Sequence, residues 1–330
     1  MIFNNITELI WNTPILKLPI KNTKWSLLLK LEKFNPWQSM KDRMALNMII
    51  EAEKKWILKQ WWTIIESSSW NTWIWLSIVS AQRWYKFIAV VDHHAAKSKI
   101  DIMKAYWAEI IYVKSEKWED QVAVEEREKF AKELSLTIPN SFFPQQADNL
   151  DNRQAYYKTL WNELINETWG NIDVFIWAIW TWWSLSWTAE RLKEYNNKIK
   201  IYWVEPVWSI IFWWPALPYY QSWTWNPWNV QIWKNVNYDV IDVWLKVWDK
   251  EAFNTARYIA KKTWILLWGS SWWILYKALE KLSSFKWSWT LIALMVDSWD
   301  KYLDTIFNDE WMNEKNLYDK NIEKYLSNFF

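Results

Sequence analysis

The sequence almost lacks glycine: 2 of its 330 residues are Gly, whereas average usage would give about 23. A compact chain of this length needs many positions with positive φ or with close backbone approach, and glycine is the residue that occupies them without strain. Tryptophan, in contrast, occurs 37 times. The motifs of this chain therefore have to be interpreted together with an explanation for its missing glycines.

Cysteine, histidine and long apolar runs are also scarce or missing. The absence of cysteine excludes a disulfide framework, a thiol nucleophile and cysteine-ligated metal sites. His93 and His94 are the only histidines, and we interpret them as loop residues after a strand and expect no metal site. Because there is no run of about 18 apolar residues and no signal-peptide pattern, we expect no membrane partner and a cytoplasmic location.

Charged residues are nearly balanced, with 39 Lys and Arg against 37 Asp and Glu and a net charge of +2. They are well mixed along the chain and form no basic stripe, so we do not expect nucleic acid as a partner. A chain of this length can bury a sizeable core as one large or two modest domains. The length and the charge distribution therefore favour a globular protein of the size of an enzyme.

The tryptophans cluster in segments of small polar residues at turns and helix starts. Such clusters contain Trp11; Trp70, Trp73 and Trp75; Trp180, Trp182, Trp183 and Trp187; and Trp268, Trp272 and Trp273. Reading Trp as Gly turns each segment into a small-residue loop. We hypothesise that UGA codons, which the organism reads as glycine, have been rendered as tryptophan. The alternative is a genuine carbohydrate- or membrane-binding aromatic surface, but its rings would follow a helix or strand period.

This hypothesis makes a prediction about the backbone. Residues Trp70, Trp180, Trp182, Trp183 and Trp272 should follow a path suited to glycine, and some should have positive φ, a genuine outlier for a bulky residue. Not every tryptophan is expected to be false. Trp311 lies in a polar helical pattern near the C-terminus and is a candidate for a genuine tryptophan.

Apolar runs of four to five residues alternate with helical patterns along most of the chain. Predicted strands cover residues 25–32, 63–66, 87–91, 109–113, 173–176, 200–204 and 290–295, and predicted helices cover 39–55, 71–82, 97–106, 119–134, 151–167, 185–195, 250–262 and 272–282. This alternation predicts parallel sheets with helices on their faces. We further expect a short helix and turn within 1–18, an antiparallel-capable strand over 239–247 and an irregular loop over 213–237.

One segment places a lysine at a strand-to-helix junction. Residues 35–43 read Asn-Pro-Trp-Gln-Ser-Met-Lys-Asp-Arg, so Lys41 falls in the first helical turn, with Ser39 as a possible N-cap. A lone lysine there would be interpreted as a solvated residue. Three later segments, however, supply groups that could hold a phosphorylated aromatic cofactor.

These three segments combine hydroxyls with backbone N–H groups at helix starts. Residues 67–73, the hydroxyl loop, could form an anion site, although an ordinary N-cap cluster explains this segment equally well. Residues 180–184, the phosphate loop, would cradle a phosphate if read as Gly-Thr-Gly-Gly-Ser, whereas three literal indoles would fill that space. Residues 268–272 place two serines at a further helix start, which capping alone would also explain.

Together the four segments resemble the cysteine synthase / cystathionine β-synthase family of fold type II pyridoxal-phosphate (PLP) enzymes. The lysine motif of that family reads Asn-Pro-Gly-x-Ser-x-Lys-Asp-Arg, and this chain departs from it at Trp37. All four motifs occur in the order of the family over almost the whole chain. The resemblance is specific once Trp is read as Gly.

The resemblance implies the cofactor, its contacts and the substrate contacts. Lys41 is the catalytic residue and the covalent attachment point of pyridoxal 5′-phosphate. The implied cofactor-binding residues are Lys41, Asn71, Trp180, Thr181, Trp182, Trp183, Ser184 and Ser270. The implied contacts to the substrate are Ser68, Ser69, Asn71, Thr72 and Gln146, with Gln145 as a competitor of Gln146. Ser270 would face the pyridine nitrogen as a neutral partner, which favours β-elimination over transamination.

The resemblance also implies the architecture. We expect an α/β protein with the fold type II, tryptophan synthase β-like architecture: two doubly wound α/β domains with the cofactor cleft between them. Residues 40–150 would form a smaller inserted domain, and residues 1–39 plus 151–330 a larger one. A homodimer that binds a small amino-acid substrate is expected.

The implied activity is PLP-dependent β-replacement on an activated serine, most like that of O-acetylserine sulfhydrylase (cysteine synthase). Alternatives are cystathionine β-synthase, with homocysteine as nucleophile, and diaminopropionate-type synthases, which use an amino-acid amine. A non-catalytic relative that binds another enzyme is an alternative of a different class, and the intact lysine motif argues against it.

Overall fold

The computed structural model describes residues 2–21, 24–67, 71–93, 95, 97–114, 124–146, 149–178, 182–209, 220, 237–266, 269–296, 298 and 303–330. In chain order the strands are β1 (Ile15–Lys17), β2 (Trp25–Leu31), β3 (Thr63–Glu66), β4 (Lys86–Val91), β5 (Glu109–Tyr112), β6 (Ser141–Phe142), β7 (Val174–Ala178), β8 (Lys200–Pro206), β9 (Val243–Val247) and β10 (Trp289–Met295). The helices are α1 (Lys41–Lys54), α2 (Asn71–Gln82), α3 (Lys97–Ala105), α4 (Val124–Thr137), α5 (Leu150–Lys158), α6 (Leu160–Thr168), α7 (Trp182–Tyr195), α8 (Asp249–Thr263), α9 (Gly269–Ser284), α10 (Asp309–Glu314) and α11 (Lys320–Leu326).

The chain divides into two compact units. Unit 1 comprises Met1–Trp11 and Met40–Tyr156, and unit 2 comprises Asn12–Ser39 and Tyr157–Phe330. This division differs from the expected one, because residues 1–11 and 151–156 lie in unit 1. Contacts with α1 and with Lys55 just after it explain why residues 151–156 belong to unit 1. The Asn47 side-chain amide donates to the Asp151 carbonyl at 2.6 Å, and Lys55 forms an ion pair with the Asp151 carboxylate at 2.6 Å.

Unit 1 is built on a four-stranded parallel sheet in the order β5-β4-β3-β6. Every residue of β3 is buried, as expected for a central parallel strand covered on both faces. On one face α4 packs against β3 and β4, and Ile65, Ile88, Val90 and Ala131 form a buried apolar cluster there. Helices α1 and α2 pack against each other, and α2 also contacts β4.

Unit 2 is built on a six-stranded sheet in the order β1-β2-β10-β7-β8-β9. Its strands pair in parallel except for β1, which runs antiparallel to β2. Buried apolar residues fill β7, β8 and β10, and α9 packs against β7, β8, β9 and β10. The α/β class and the parallel sheets predicted from the sequence are confirmed.

Several predicted elements need correction. The strand predicted over 239–247 is shorter and parallel to β8, because the connection from β8 is long enough for the crossover that a parallel pair requires. The single helix predicted over 151–167 is two helices, with a non-helical backbone at Thr159 (φ −123°, ψ −62°). The short helix predicted within 1–18 is a 3₁₀ turn, Ile6–Leu9. The very short strands β1 and β6 carry no sequence period and were missed.

The other predicted strands and helices are present, with ends shifted by a few residues. Residues 119–123 of one predicted helix fall outside the described part of the chain, as does the loop predicted over 213–237 except at Tyr220 and Asn237. In the part that the structure describes, none of the helices is long and apolar enough to cross a membrane.

Candidate active site

Lys41 is the first residue of α1 and is buried, with 3% of its surface exposed. The preceding residue, Met40, is the N-cap and its side chain makes no capping hydrogen bond, so the prediction of Ser39 as the N-cap is wrong. The buried Tyr156 hydroxyl donates to the Met40 carbonyl at 3.2 Å. This bond ties the backbone beside Lys41 to α5 and restricts where the amine can lie. Lys41 is therefore a fixed, buried lysine rather than a solvated one.

Glu66, the last residue of β3, joins two of the predicted substrate-binding segments. Its Oε1 accepts the Ser67 N–H at 2.8 Å, and its Oε2 accepts the Gln146 N–H at 3.2 Å. From the sequence alone, Glu66 is predicted only as part of a buried strand. The available signal was a charged residue at the end of an apolar run, directly before the hydroxyl loop.

The ionisation of Glu66 is strongly perturbed. Burial raises the pKa of its carboxyl from 4.5 to about 7; the N–H donors of Ser67 and Gln146 oppose this shift, and the charge of Glu128 adds to it. Because this pKa is higher in the folded state than in the unfolded chain, protonation stabilises the fold below about pH 4.5. That contribution is lost as the pH rises through about 7.

The backbone of Gln146 is held on both sides. Its N–H is bonded to Glu66, and its carbonyl accepts the Asn152 side-chain amide at 2.9 Å. Asn152 is 1% exposed, so this second bond is shielded from water. Gln145 instead adopts a left-handed conformation with φ 51°. No sequence motif indicates this anchoring role of Asn152.

Most of the predicted hydroxyl-loop contacts fall outside the described residues. Ser68 and Ser69 are among them, and the side chain of Asn71 is also not described, although its backbone begins α2. Thr72 is described: it is fully buried, and its hydroxyl has no hydrogen-bond partner among the residues with described side chains. A buried hydroxyl without a partner is uncommon in a native structure and points to a bound group.

The phosphate loop connects β7 to α7. Trp180 and Thr181 lie outside the described residues, as do the side chains of Trp182, Trp183 and Ser184. The backbone does show that α7 begins at Trp182, four residues after β7 ends at Ala178. The first turn of a helix leaves backbone N–H groups unpaired, and these favour a phosphate.

Two serines at the start of α9, the serine pair Ser270 and Ser271, have buried hydroxyls. Both residues are 0% exposed, and neither Oγ has a hydrogen-bond partner in the described part of the chain. Because α9 leads directly into β10, its start lies at the carboxyl edge of the parallel strands, the edge where β7 also ends. Ligands of open α/β sheets bind at this edge. The sequence predicted Ser270, and Ser271 was missed although it lies in the same motif.

The chemistry of the described residues is compatible with PLP. Lys41 could supply a buried amine for covalent attachment, the N-terminus of α7 could supply backbone donors for a phosphate, and Ser270 could supply a neutral hydroxyl that has no hydrogen-bond partner among the described residues. Lys41 belongs to unit 1, whereas α7 and Ser270 belong to unit 2. In the described ranges, no group of three or more His, Asp or Glu residues could hold a metal ion.

Comparisons with known proteins extend this picture. The family described as "Pyridoxal-phosphate dependent enzyme" matches residues 6–286. A Sinorhizobium fredii protein named "Putative cysteine synthase" is 40% identical over 326 residues, which cover 99% of this chain and 97% of that protein. A cystathionine beta-synthase of Dictyostelium discoideum is 30% identical over 330 residues, which cover 97% of this chain and 64% of that longer protein.

Solved structures show the same likeness in three dimensions. A hydrogen sulfide-producing enzyme from Fusobacterium nucleatum matches with a TM-score of 0.82 and 31% identity, over 92% of this chain and 99% of that one. An O-ureido-L-serine synthase matches with a TM-score of 0.83 and 24% identity, over 95% of this chain and 100% of that one. At 24% identity the second match informs the fold alone.

Proposed function

The chain belongs to the family of pyridoxal-phosphate dependent enzymes and has their type II fold, and from this premise we propose that it makes cysteine from O-acetylserine and sulfide. The coarser activity is PLP-dependent β-replacement on an amino acid. In the proposed reaction the β-carbon–oxygen bond of the acetyl ester breaks and a carbon–sulfur bond forms. The products are cysteine and acetate.

The fixed position of Lys41 carries this proposal. Bound PLP supplies an electron sink that stabilises negative charge at the substrate α-carbon. Lys41, held at the first turn of α1 beside the Tyr156–Met40 bond, would remove the α-proton and return it once sulfide has added. Lysine amines can serve as such positioned bases.

The remaining residues bind and orient. We assign the substrate carboxylate to Ser68, Ser69, Asn71, Thr72 and Gln146. Two observations support this assignment. The buried Thr72 hydroxyl has no hydrogen-bond partner among the described residues, and both the N–H and the carbonyl of Gln146 are hydrogen-bonded. The phosphate would bind to the loop that contains Thr181 and Ser184 and to the start of α7. The buried hydroxyl of Ser270 would meet the ring nitrogen.

A donor and nucleophile panel tests the proposed substrates. O-Acetylserine and O-phosphoserine serve as donors, and sulfide, homocysteine and an amino-acid amine serve as nucleophiles. We expect the highest kcat/KM for O-acetylserine with sulfide. Preference for homocysteine would favour cystathionine synthesis, and preference for an amine would favour a diaminopropionate-type product. A purified protein that is colourless and inert with all donors would favour a non-catalytic binding partner.

Ser270 can be tested by adding charge. We expect Ser270→Asp to increase keto-acid side products relative to β-replacement, because a carboxylate favours a protonated pyridine nitrogen and a stronger electron sink. The measurement is the product ratio together with the absorbance spectrum of the bound cofactor. Ser283→Asp is a matched control, since Ser283 is an exposed residue near the other end of α9. An unchanged spectrum and product ratio in Ser270→Asp would remove Ser270 from the ring contact.

We also propose that many tryptophans are glycine in the protein that the organism makes. Trp182, Trp183 and Trp272 lie in α7 and α9, so the positive φ expected among the motif tryptophans does not occur at these three. Trp70 and Trp180, the other two positions of that prediction, lie outside the described residues. Among the described residues, positive φ occurs at seven other tryptophans: Trp11, Trp56, Trp61, Trp84, Trp107, Trp169 and Trp264.

Five of these seven lie one or two residues after the last residue of helices α1, α2, α3, α6 and α8, where a left-handed residue, usually glycine, ends a helix. After four of them the next residue donates to the carbonyl five positions earlier, the bond that defines a Schellman motif; an example is Ala108 N to Met103 O at 3.0 Å. At the end of α10 the same bond follows Asn316, and Asn is an accepted residue at this position. A bulky residue there is strained.

The side chains of the tryptophans support the same proposal. Trp169 is 94% exposed and Trp264 is 89% exposed, so neither ring packs against the fold. Trp75 and Trp273 are completely buried, yet neither indole N–H has a partner in the part of the chain that is described. Buried indole N–H groups usually find one. Peptide mass spectrometry of protein from the native organism decides the identity of each position, and tryptophan masses there would reject the proposal.

The proposed function depends on this recoding at the phosphate loop, because glycine lets backbone N–H groups approach a phosphate closely. We also expect a homodimer, which follows from the family resemblance. Sedimentation analysis of the purified enzyme tests this assembly state.

A further inference from the structure

We infer that Glu66 is a positioning residue that couples the hydroxyl loop to the segment around Gln146, so that both parts of the carboxylate site depend on its charge. This inference rests on the proposed assignment of these segments to an amino-acid carboxylate. It concerns how the binding site is assembled and is independent of which nucleophile the enzyme uses.

The geometry gives each segment one oxygen of the same carboxylate. Oε1 of Glu66 accepts the Ser67 N–H at 2.8 Å, and Oε2 accepts the Gln146 N–H at 3.2 Å. Ser67 is the next residue after Glu66, whereas Gln146 is 80 residues away in the chain. The carboxylate therefore links two segments that are distant in sequence. Glu66 is 1% exposed, and water therefore competes little for either bond.

The backbone around this link leaves little freedom. Glu66 ends β3, where its backbone pairs with Ala89 of β4, so the start of the hydroxyl loop is fixed to the sheet. The Asn152 amide holds the carbonyl of Gln146 at 2.9 Å. A change in the Glu66 side chain would consequently be transmitted to both segments and would not be absorbed by a flexible connection.

In the described part of the chain, the charged groups on elements that pack against β3 come from α4 and from β4, whose Lys86 lies beside Thr63 at the other end of β3. Helix α4 packs against β3 and supplies Glu128, whose negative charge disfavours an ionised Glu66. The same helix supplies Arg127, which pairs with Asp92 after β4 at 3.4 Å. Helix α2 and strand β6 contain no charged residues. With the pKa of Glu66 near 7, its charge changes within the working range of a neutral-pH enzyme.

The two charge states of Glu66 hold the site differently. An ionised carboxylate accepts strongly through both oxygens, whereas a protonated one uses one oxygen as a donor and accepts well only through the other. Protonation should therefore loosen one of the two segments. We expect amino-acid binding to weaken as the pH falls from about 8 to about 6, with little change in the chemical step.

Glu66→Gln separates this role from simple packing. Glutamine has nearly the same shape but only one acceptor oxygen and does not titrate, so the variant mimics the protonated state at every pH. At about pH 8 we expect KM for the amino-acid donor to rise about tenfold, in line with the loss of one charge-assisted hydrogen bond, while kcat stays within about twofold. At about pH 6 the variant and the parent enzyme should converge.

Glu205→Gln is the matched control. Glu205 is a fully buried carboxyl at the end of β8, and burial raises its pKa to about 7 as well, although its charged partner is Lys246. It has no described hydrogen bond to the hydroxyl loop or to Gln146. We expect this variant to keep the pH dependence of KM that the parent enzyme shows.

Two measurements keep the inference separate from the proposed reaction. Calorimetric binding of L-alanine, which has the carboxylate but no leaving group, should show the same pH dependence in the full-length holoenzyme even if O-acetylserine is the wrong donor. Hydrogen–deuterium exchange of Glu66→Gln should be faster in peptides covering both 67–73 and 144–152. Exchange confined to one segment, or L-alanine binding that is as tight and as pH-dependent as in the parent, would overturn the coupling.

If Glu66→Gln folds poorly, Glu66→Asp supplies a second test. Aspartate keeps two acceptor oxygens and a titrating group but is one methylene shorter. We expect weaker L-alanine binding that still depends on pH. Binding that is weakened but independent of pH would assign Glu66 a structural role only.

Discussion

Replacing Lys41 with alanine is expected to lower turnover at least about 1,000-fold, because the variant loses a positioned general base as well as the covalent attachment of the cofactor. Lys41 is 3% exposed at the first turn of α1, and a small residue there leaves no other amine at that position. The measurements are steady-state turnover of O-acetylserine with sulfide and the visible absorbance of the protein-bound cofactor, which should change.

Lys54→Ala is the matched control for this experiment. Lys54 lies on the same helix, is 64% exposed in its side chain and forms an ion pair with Glu51 at 3.0 Å. Exposed pairs of this kind contribute little to stability, so we expect turnover within about twofold of the parent. Unimpaired activity in Lys41→Ala would show that another residue attaches the cofactor and would remove the basis of the proposed function.

Replacing the exposed left-handed tryptophans by glycine is expected to stabilise the protein by about 5 kcal/mol in total. The six positions are Trp56, Trp61, Trp84, Trp107, Trp169 and Trp264. Each L-residue in the left-handed region costs about 1–2 kcal/mol, part of which the greater freedom of glycine in the unfolded chain offsets. Against a typical stability of about 5–15 kcal/mol, this gain is large. The measurement is denaturant unfolding of the chain as written and of the six-site variant.

Trp311→Gly gives the opposite expectation and serves as the control. Trp311 lies in the right-handed helix α10, and its ring packs against Phe253 and Tyr220 with centroid distances of 6.0 and 6.1 Å. Removing this ring should destabilise the protein by about 3–5 kcal/mol. Equal stability of the chain as written and the six-site variant would contradict the strain argument and weaken the case for glycine at these positions.

The sequence predicted the elements whose residues form long apolar runs. Strands β3, β4, β7 and β10 are buried, so their patterns are continuous. The direction of β9 could not be read in this way, because a strand has the same side-chain period in parallel and antiparallel pairs. The break between α5 and α6 at Thr159 was not predicted either, because apolar residues continue on both sides of it.

Lys41 and Ser270 could be proposed from the sequence because the chemistry assigned to them depends on residue type. Glu66 and Asn152 were missed because they act through backbone groups of distant residues, and only the fold brings those groups within reach. Positive φ was expected at some of the motif tryptophans; it is absent at Trp182, Trp183 and Trp272, whereas five of the seven described tryptophans with positive φ lie at helix ends. In a helical first turn glycine serves close approach, whereas after a helix it supplies the left-handed backbone.

The pairing of β2 with β10 has a consequence for synthesis of the chain. Trp25 pairs with Trp289, so the inner neighbour of β2 is translated 264 residues after it. At a translation rate of about 5–20 residues per second, one edge of β2 remains unpaired for roughly 10–50 s during synthesis. Its buried residues Leu27, Leu29 and Leu31 stay exposed to other nascent chains during that time. Unit 1, completed at Tyr156, can fold long before, so aggregation during expression should originate in unit 2.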